Sequence, residues 1–162
     1  MGKLKEEIRQ TKPFSGLEHE ALLNLQRTAG QIFHHSQQML KGYGLTGPQY
    51  NVLRILRGAG TGGLSCAEVG ERMLTPDPDI TRLLERLSRQ GLIERRRDLR
   101  DRRVRFSRIT AEGIRLLKEL DPVVDRAAKS SLGHMSSQRL EALIDLLEEA
   151  RQGAFPPEPA TA

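Results

Sequence analysis

Between Arg82 and Arg108 the sequence places eleven arginines, at 82, 86, 89, 95, 96, 97, 100, 102, 103, 105 and 108. Only four acids share that stretch: Glu85, Glu94, Asp98 and Asp101. The window is therefore +7 in a chain whose total is +5, which leaves −2 for everything else. No lysine falls in it. A charged, solvated face would use either cation. The planar guanidinium fork is instead suited to bidentate contacts with phosphate and guanine. The chemistry these residues point to is recognition of a polyanion, without bond making or breaking.

Other chemistry has less to stand on. Gly58-Ala59-Gly60-Thr61-Gly62-Gly63 has the letters of a dinucleotide-binding turn, and Asp79 follows at nearly the required distance. That turn must connect a strand to a helix within a parallel βαβ unit. Here the preceding segment has helical spacing and the next one opens on another helix cap, so the stretch reads as a glycine-rich loop between helices. The sequence has no Gly-Lys-Ser/Thr phosphate loop, no Gly-x-Ser-x-Gly elbow and no Cys/His spacing of a zinc site. No cofactor and no metal are expected. His34 and His35 are neighbours, so on a helix they point about 100° apart and do not naturally share a metal. Cys66 is the only cysteine. It excludes an internal disulfide framework, fits a reducing compartment, and reads as a small packing residue near a helix start.

The elements that must position the arginines follow from periodicity. The 162 residues suit one domain with an added assembly element. Hydrophobic residues make up 37% and aromatics only 4%, so any ligand pocket must be mainly aliphatic. The N-terminal MGKLKEEIRQ lacks an apolar leader core, and no apolar run approaches the roughly 18 residues needed to span a bilayer; a cytoplasmic protein is expected. Residues 1–16 form a polar extension with a short helix. Glu18 to Tyr43 reads as one long helix with a stripe of Leu22, Leu25, Ala29, Ile32, Ser36, Met39 and Tyr43, stopped by Gly42 and Gly44. Thr46-x-x-Gln49 and Ser65-x-x-Glu68 are capping boxes, opening helices to about Arg57 and Met73. Thr75-Pro76-Asp77-Pro78-Asp79 is a turn whose prolines suit the first turn of the next helix. That helix runs to Gln90 with Ile80, Leu83, Leu84 and Leu87 inward. After Gly91, Leu92–Arg96 and Arg103–Ile109 read as two strands around a charged tip at 97–102. Thr110 caps a helix that Pro122 is expected to kink. Ser136 or Ser137 caps the last one. The tail 153–162 has the composition of a disordered segment.

The expected fold is mainly α with a two-stranded β-hairpin wing: a winged helix-turn-helix lobe over 46–110 between long terminal helices, 17–45 and 111–152. Such a lobe lays its second short helix in a DNA major groove, and a basic hairpin beside it reaches an adjacent minor groove.

Specific residues carry a family resemblance over about 17–150. Thr81-Arg82-Leu83-Leu84-Glu85-Arg86-Leu87, Gln90-Gly91-Leu92-Ile93-Glu94-Arg95, Asp98-Leu99-Arg100-Asp101-Arg102-Arg103 and Ile109-Thr110-Ala111-Glu112-Gly113 follow one another in the order and spacing of the MarR (multiple-antibiotic-resistance regulator) family. Gly44-Leu45-Thr46-x-x-Gln49-Tyr50-x-Val52-Leu53 is a second, more general match. The resemblance implies a homodimeric, winged helix-turn-helix repressor of transcription that binds pseudo-palindromic double-stranded DNA. It implies dimerisation through the terminal helices, whose apolar stripes are longer than a small lobe can cover.

It also implies roles. Arg103 resembles the minor-groove arginine of the wing and Asp101 the residue that steadies it, with Arg97, Arg100 and Arg102 beside them. Thr81 and Arg82 would meet bases or phosphates, and Arg86 phosphate. Asp77 and Asp79 depart from the family pattern; either one accepts from a cytosine amino group, or both merely favour the helix start. A small aromatic or anionic effector is implied, with His34, Gln38, Tyr43 and Tyr50 as candidates, though the same residues can simply pack and hydrogen-bond. Cys66 does not match the cysteine of the peroxide-sensing members. The rival readings are an adaptor whose helix-turn-helix no longer reads DNA, supported by those two acids, and a nucleotide-binding enzyme using Gly58–Gly63.

Overall fold

A computed structural model describes residues 3–97 and 105–154 of the chain. Its elements are α1 (Leu4–Glu7), α2 (Leu17–Lys41), α3 (Gly47–Gly58), β1 (Leu64–Ser65), α4 (Cys66–Glu71), α5 (Ile80–Arg89), β2 (Ile93–Arg97), β3 (Arg105–Ile109), α6 (Ala111–Leu132) and α7 (Ser137–Ala154). The chain forms two compact units, residues 1–119 and 120–162.

Both capping boxes form. The Thr46 hydroxyl accepts from the Gln49 N–H while the Gln49 side chain accepts from the Thr46 N–H. Ser65 and Glu68 repeat the pattern at α4. Each box satisfies two otherwise orphaned donors of a helix start. The Ser65 N–H, and then its hydroxyl, hold the Glu68 carboxyl below the usual carboxylate range. At the end of α2, Gly44 adopts φ +71°, and the Leu45 N–H reaches back to the Leu40 carbonyl at 3.2 Å, closing the helix.

The core of the first unit is aliphatic. Val52, Leu53 and Leu56 of α3, Val69 of α4, Leu84 and Leu87 of α5, and Leu117 of α6 are fully buried. Ile80 is half-buried, and Leu83 closes the inward face of α5. In the second unit a short turn joins α6 to α7, and the Ser136 hydroxyl accepts from the Arg139 N–H, which makes Ser136 the cap.

Several expectations need correction. The hairpin has a third strand: β1 pairs antiparallel with β3, giving the order β1-β3-β2. Two residues are too few to show a strand period. What admits them is Gly63, at φ +71°, where a Cβ would sit 2.8 Å from the Ser107 carbonyl oxygen. α4 stops at Glu71, short of Met73. Pro76 and Pro78 precede α5 instead of entering its first turn, because Asp79 is the cap. α6 contains Pro122 within its span, as the sequence reading has it. α7 reaches Ala154, so Gly153 and Ala154 are helical; the rest of the presumed tail lies outside the described residues. β2 spans 93–97, one residue later than expected at each end, and β3 is described over 105–109, the expected start at Arg103 lying outside the described residues. The loop holding Gly58–Gly63 connects α3 to an antiparallel strand, so it has neither the preceding strand nor the parallel sheet of a dinucleotide site.

Candidate nucleic-acid interface

The exposed side of α5 is arranged in two stripes. Arg82, Arg86 and Arg89 recur at four and three residues and share one exposed face. Thr81 and Glu85, one turn apart, lie beside it on a second exposed stripe. Leu83, Leu84 and Leu87 occupy the opposite face and anchor the helix in the core.

The two unusual acids have local partners. The Asp77 carboxylate accepts from the Asp79 N–H at 2.8 Å, forming a tight turn. The Asp79 carboxylate accepts from the Arg82 N–H at 3.3 Å and lies 3.2 Å from the Arg82 Nε. Both acids therefore shape the entry to α5, and Asp79 orients the first arginine of the exposed stripe. The ion pair is solvent-facing, so its main effect is geometric.

The sheet sorts the arginines of the wing by register. Ile93 faces Ile109, Arg95 faces Ser107 and Arg97 faces Arg105 across one side. Glu94 faces Arg108 and Arg96 faces Phe106 across the other. On that second side Glu94 holds both neighbours: its carboxylate is 3.2 Å from Arg96 Nη2 and 3.7 Å from Arg108 Nε. Arg108 also donates to the Thr61 carbonyl at 3.3 Å, tying the glycine-rich loop to β3. On the first side, Arg95 Nη1 lies 3.8 Å from Glu85 Oε1 of α5.

Between α4, α5 and the sheet is an open depression of about 600 Å³. Ser65, Cys66, Ala67, Thr81, Glu85, Arg95 and Arg105 line it. Cys66 Sγ and Thr81 Oγ1 are 3.6 Å apart within it. Sequence reasoning did not single out Glu85, Arg95 or Arg105 as a group. The contact pairs residues ten apart through a helix-to-strand reversal, and no local spacing announces it.

Of the anticipated DNA-contacting residues, Thr81, Arg82, Arg86 and Arg97 are all exposed, with Arg97 closing β2. Arg100, Asp101, Arg102 and Arg103 lie outside the described residues. Among the effector candidates, the structure brings together His34 and Gln38, whose side-chain Nε2 atoms are 2.8 Å apart on the exposed side of α2. Tyr43 sits half-buried in the turn after α2. Tyr50, half-buried on α3, lies under the Arg54 guanidinium at 5.9 Å from the ring centre. Gln37, missed in the sequence, links α2 to α3 by accepting from the Gly47 N–H at 3.3 Å. Among the described residues no cluster of three or more His, Cys, Asp or Glu side chains could hold a metal ion, and no helix is long and apolar enough to cross a membrane.

A sequence model described as "MarR family" matches residues 43–104, the stretch from just after α2 to just before β3. The crystal structure of a MarR transcription factor from Planctomyces limnophilus superposes with a TM-score of 0.67 at 35% identity, covering 84% of this chain and 98% of the other. The chain belongs to the MarR family. It is a DNA-binding transcriptional regulator of the winged helix-turn-helix type, with α4 and α5 as the helix pair and β2–β3 as the wing. The transcriptional regulator HosA of Escherichia coli O157:H7 is 30% identical over 105 residues, which are 65% of this MarR-family chain and 76% of HosA. The transcriptional regulator PcaV of Streptomyces coelicolor, whose crystal structure holds its natural ligand, matches at 26% identity with a TM-score of 0.67, over 86% of this chain and 94% of PcaV.

Proposed function

We propose that the protein acts as a cytoplasmic homodimer that binds a pseudo-palindromic operator in double-stranded DNA and represses transcription until a small aromatic or anionic effector releases it. The single observation that carries the DNA-reading role is the exposed stripe of Arg82, Arg86 and Arg89 on a helix anchored by Leu83, Leu84 and Leu87.

Two such helices enter successive major grooves about one turn of DNA apart. Thr81 and Arg82 meet bases or phosphates, and Arg86 meets phosphate. The wing, with Arg97, Arg100, Arg102 and Arg103, enters the flanking minor groove, where narrow A·T-rich stretches concentrate negative potential. Arg103 is the inserted side chain and Asp101 steadies it. The terminal segments 17–45 and 111–152 carry the dimer, 46–110 the DNA-binding lobe.

Supporting the dimer, Leu22, Leu25, Ile32 and Phe33 of α2 and Ile144 and Leu146 of α7 are exposed. Exposed apolar stripes of this kind, on each helix by itself, fit cover by a twofold mate. Supporting the effector, the relative PcaV has been solved with a natural ligand; the His34–Gln38 pair, Tyr43 and Tyr50 are the polar groups proposed to receive one. Effector binding favours dimers whose α5 helices no longer match two successive grooves, and so shifts the population away from DNA.

Selection of bound sequences from random duplex DNA tests the reading. A pseudo-palindromic motif is expected, and an adaptor would enrich none. On the selected duplex, Arg103→Ala should weaken binding by about 5- to 150-fold, the effect of losing a well-placed groove arginine, while gel filtration still shows a dimer. Affinity should also fall steeply with salt as condensed counterions are released.

A further inference from the structure

We infer that Glu85 and Arg95 form a brace that sets the angle between the recognition helix α5 and the wing, making both positioning residues for operator binding. The inference rests on the reading of α5 and the wing as the DNA-contacting elements.

Glu85 is an acid in the middle of a cationic surface, where it repels phosphate if it does nothing else. Its placement gives it another task. It lies one turn after Thr81, on the stripe of α5 that faces the depression and beside the stripe of Arg82 and Arg86. Its Oε1 is 3.8 Å from Nη1 of Arg95, an ion pair and too long for a hydrogen bond.

Arg95 is unlike the other arginines of the wing. Only 11% of its side chain is exposed, against 76% for its neighbour Arg96. Its register partner across the sheet is the fully buried Ser107. The Arg95 Nε is buried and has no hydrogen-bond partner among the described residues. A largely buried guanidinium is confined by the residues packed around it and does not sweep out to meet DNA as an exposed one does, while its unmet donor is a cost that leaves the paired carboxylate the more important. Among the described residues, Glu85 is the carboxylate paired with it. Arg97, which closes β2 and leads into the wing tip, is two residues further along the same strand. A tilt of β2 against α5 therefore moves Arg97 relative to the recognition helix, and the Glu85–Arg95 contact resists that tilt.

A brace makes a distinctive prediction, because it changes the fit to two grooves at once without contacting either. The wild-type protein, Glu85→Gln, Arg95→Met and the double variant are titrated against the duplex selected by the wild type and against random-sequence duplex of equal length. Motif selection is repeated with Glu85→Gln, and thermal unfolding is recorded for all four. Glu85→Gln should bind the selected duplex about tenfold more weakly, within the range for directly coupled neighbours, with random-duplex affinity unchanged or slightly raised. It should still enrich the wild-type motif. The double variant should be no weaker than the weaker single one.

Tighter binding of both duplexes by Glu85→Gln would show simple charge repulsion and overturn the brace. A changed preference at one base position would make Glu85 a direct reader and overturn it equally, as would additive losses in the double variant. Glu85 is about half exposed, so its variant keeps the test decisive even if Arg95→Met unfolds. A wild-type protein that enriches no motif would instead bring down the DNA-binding reading itself.

Discussion

The lobe from α3 to β3 and the outer helices α2 and α7 treat their apolar residues in opposite ways. In the lobe, Leu74 in the loop before α5 excepted, the large ones are mostly covered within the chain: Val52, Leu53, Leu56, Val69, Leu84 and Leu87 are fully buried. On α2, Leu22, Leu25, Ile32 and Phe33 stay exposed, Phe33 at 60%, and on α7 Leu146 is 63% exposed. The lobe has a sheet and three helices that can close around one another. A long helix has only one neighbour's worth of surface to share and leaves a stripe unmet. The lobe thus completes its own core and presents cations outward, while α2 and α7 each keep apolar side chains exposed; the proposed dimer would cover them.

Substitutions in each region should separate these roles. The largest effect is expected from Leu25→Glu combined with Ile32→Glu. Burying each such side chain contributes about 1.5–3 kcal/mol, so the dimer dissociation constant should rise roughly a thousandfold or more. Analytical ultracentrifugation would show monomers that keep a helical circular-dichroism spectrum; an intact dimer would mean that this stripe is not the interface. Next, Leu56→Ala should destabilise the lobe by about 2–5 kcal/mol, the range for a leucine deleted from a closed core. The denaturant midpoint reads it out, and a loss as small as that of a surface change would break the contrast between the regions.

A smaller loss, about 1 kcal/mol, is expected for Ser65→Ala, which removes the α4 cap and one of the donors to Glu68. The smallest effect concerns acid. Glu68 titrates below its ordinary range in the folded chain because Ser65 donates to its ionised form. Its contribution is therefore present above the unfolded carboxyl pKa and disappears as pH falls through the lower, folded value. Glu68→Gln should remove that part of the acid sensitivity, so its stability falls less between neutral and acid pH than the wild type's. Equal slopes in parallel pH titrations of unfolding would show that the Ser65–Glu68 contact does not couple to folding.

Much of this was legible residue by residue. Both capping boxes, the stop at Gly44 and the inward leucines of α5 are local patterns, and each appears in the structure within a residue or two; the arginine window is equally local in the sequence. The entry to α5 was misjudged because proline statistics favour a first-turn position, whereas Asp77 and Asp79 together build a turn that ends only at Ile80. The strand β1 was missed because two residues have no period; its partner, Ser107, lies 43 positions beyond Leu64. The candidate site divided in the same way. Arg82 and Arg86 were visible as a helical stripe, but the Glu85–Arg95 contact was not, because charges of both signs in that window look alike until a fold pairs them.

What the amino-acid order alone determined is therefore everything set by neighbours within a turn or two: where helices begin and end, which faces are apolar, and where positive charge is dense. Tertiary structure alone decided which arginine is buried and which is free, which acid meets which cation, and that a glycine lets a two-residue strand join the sheet. The physical reason is range. Capping and amphipathic periodicity act over three or four residues, while burial and ion pairing depend on distances in space between segments that the chain order leaves far apart.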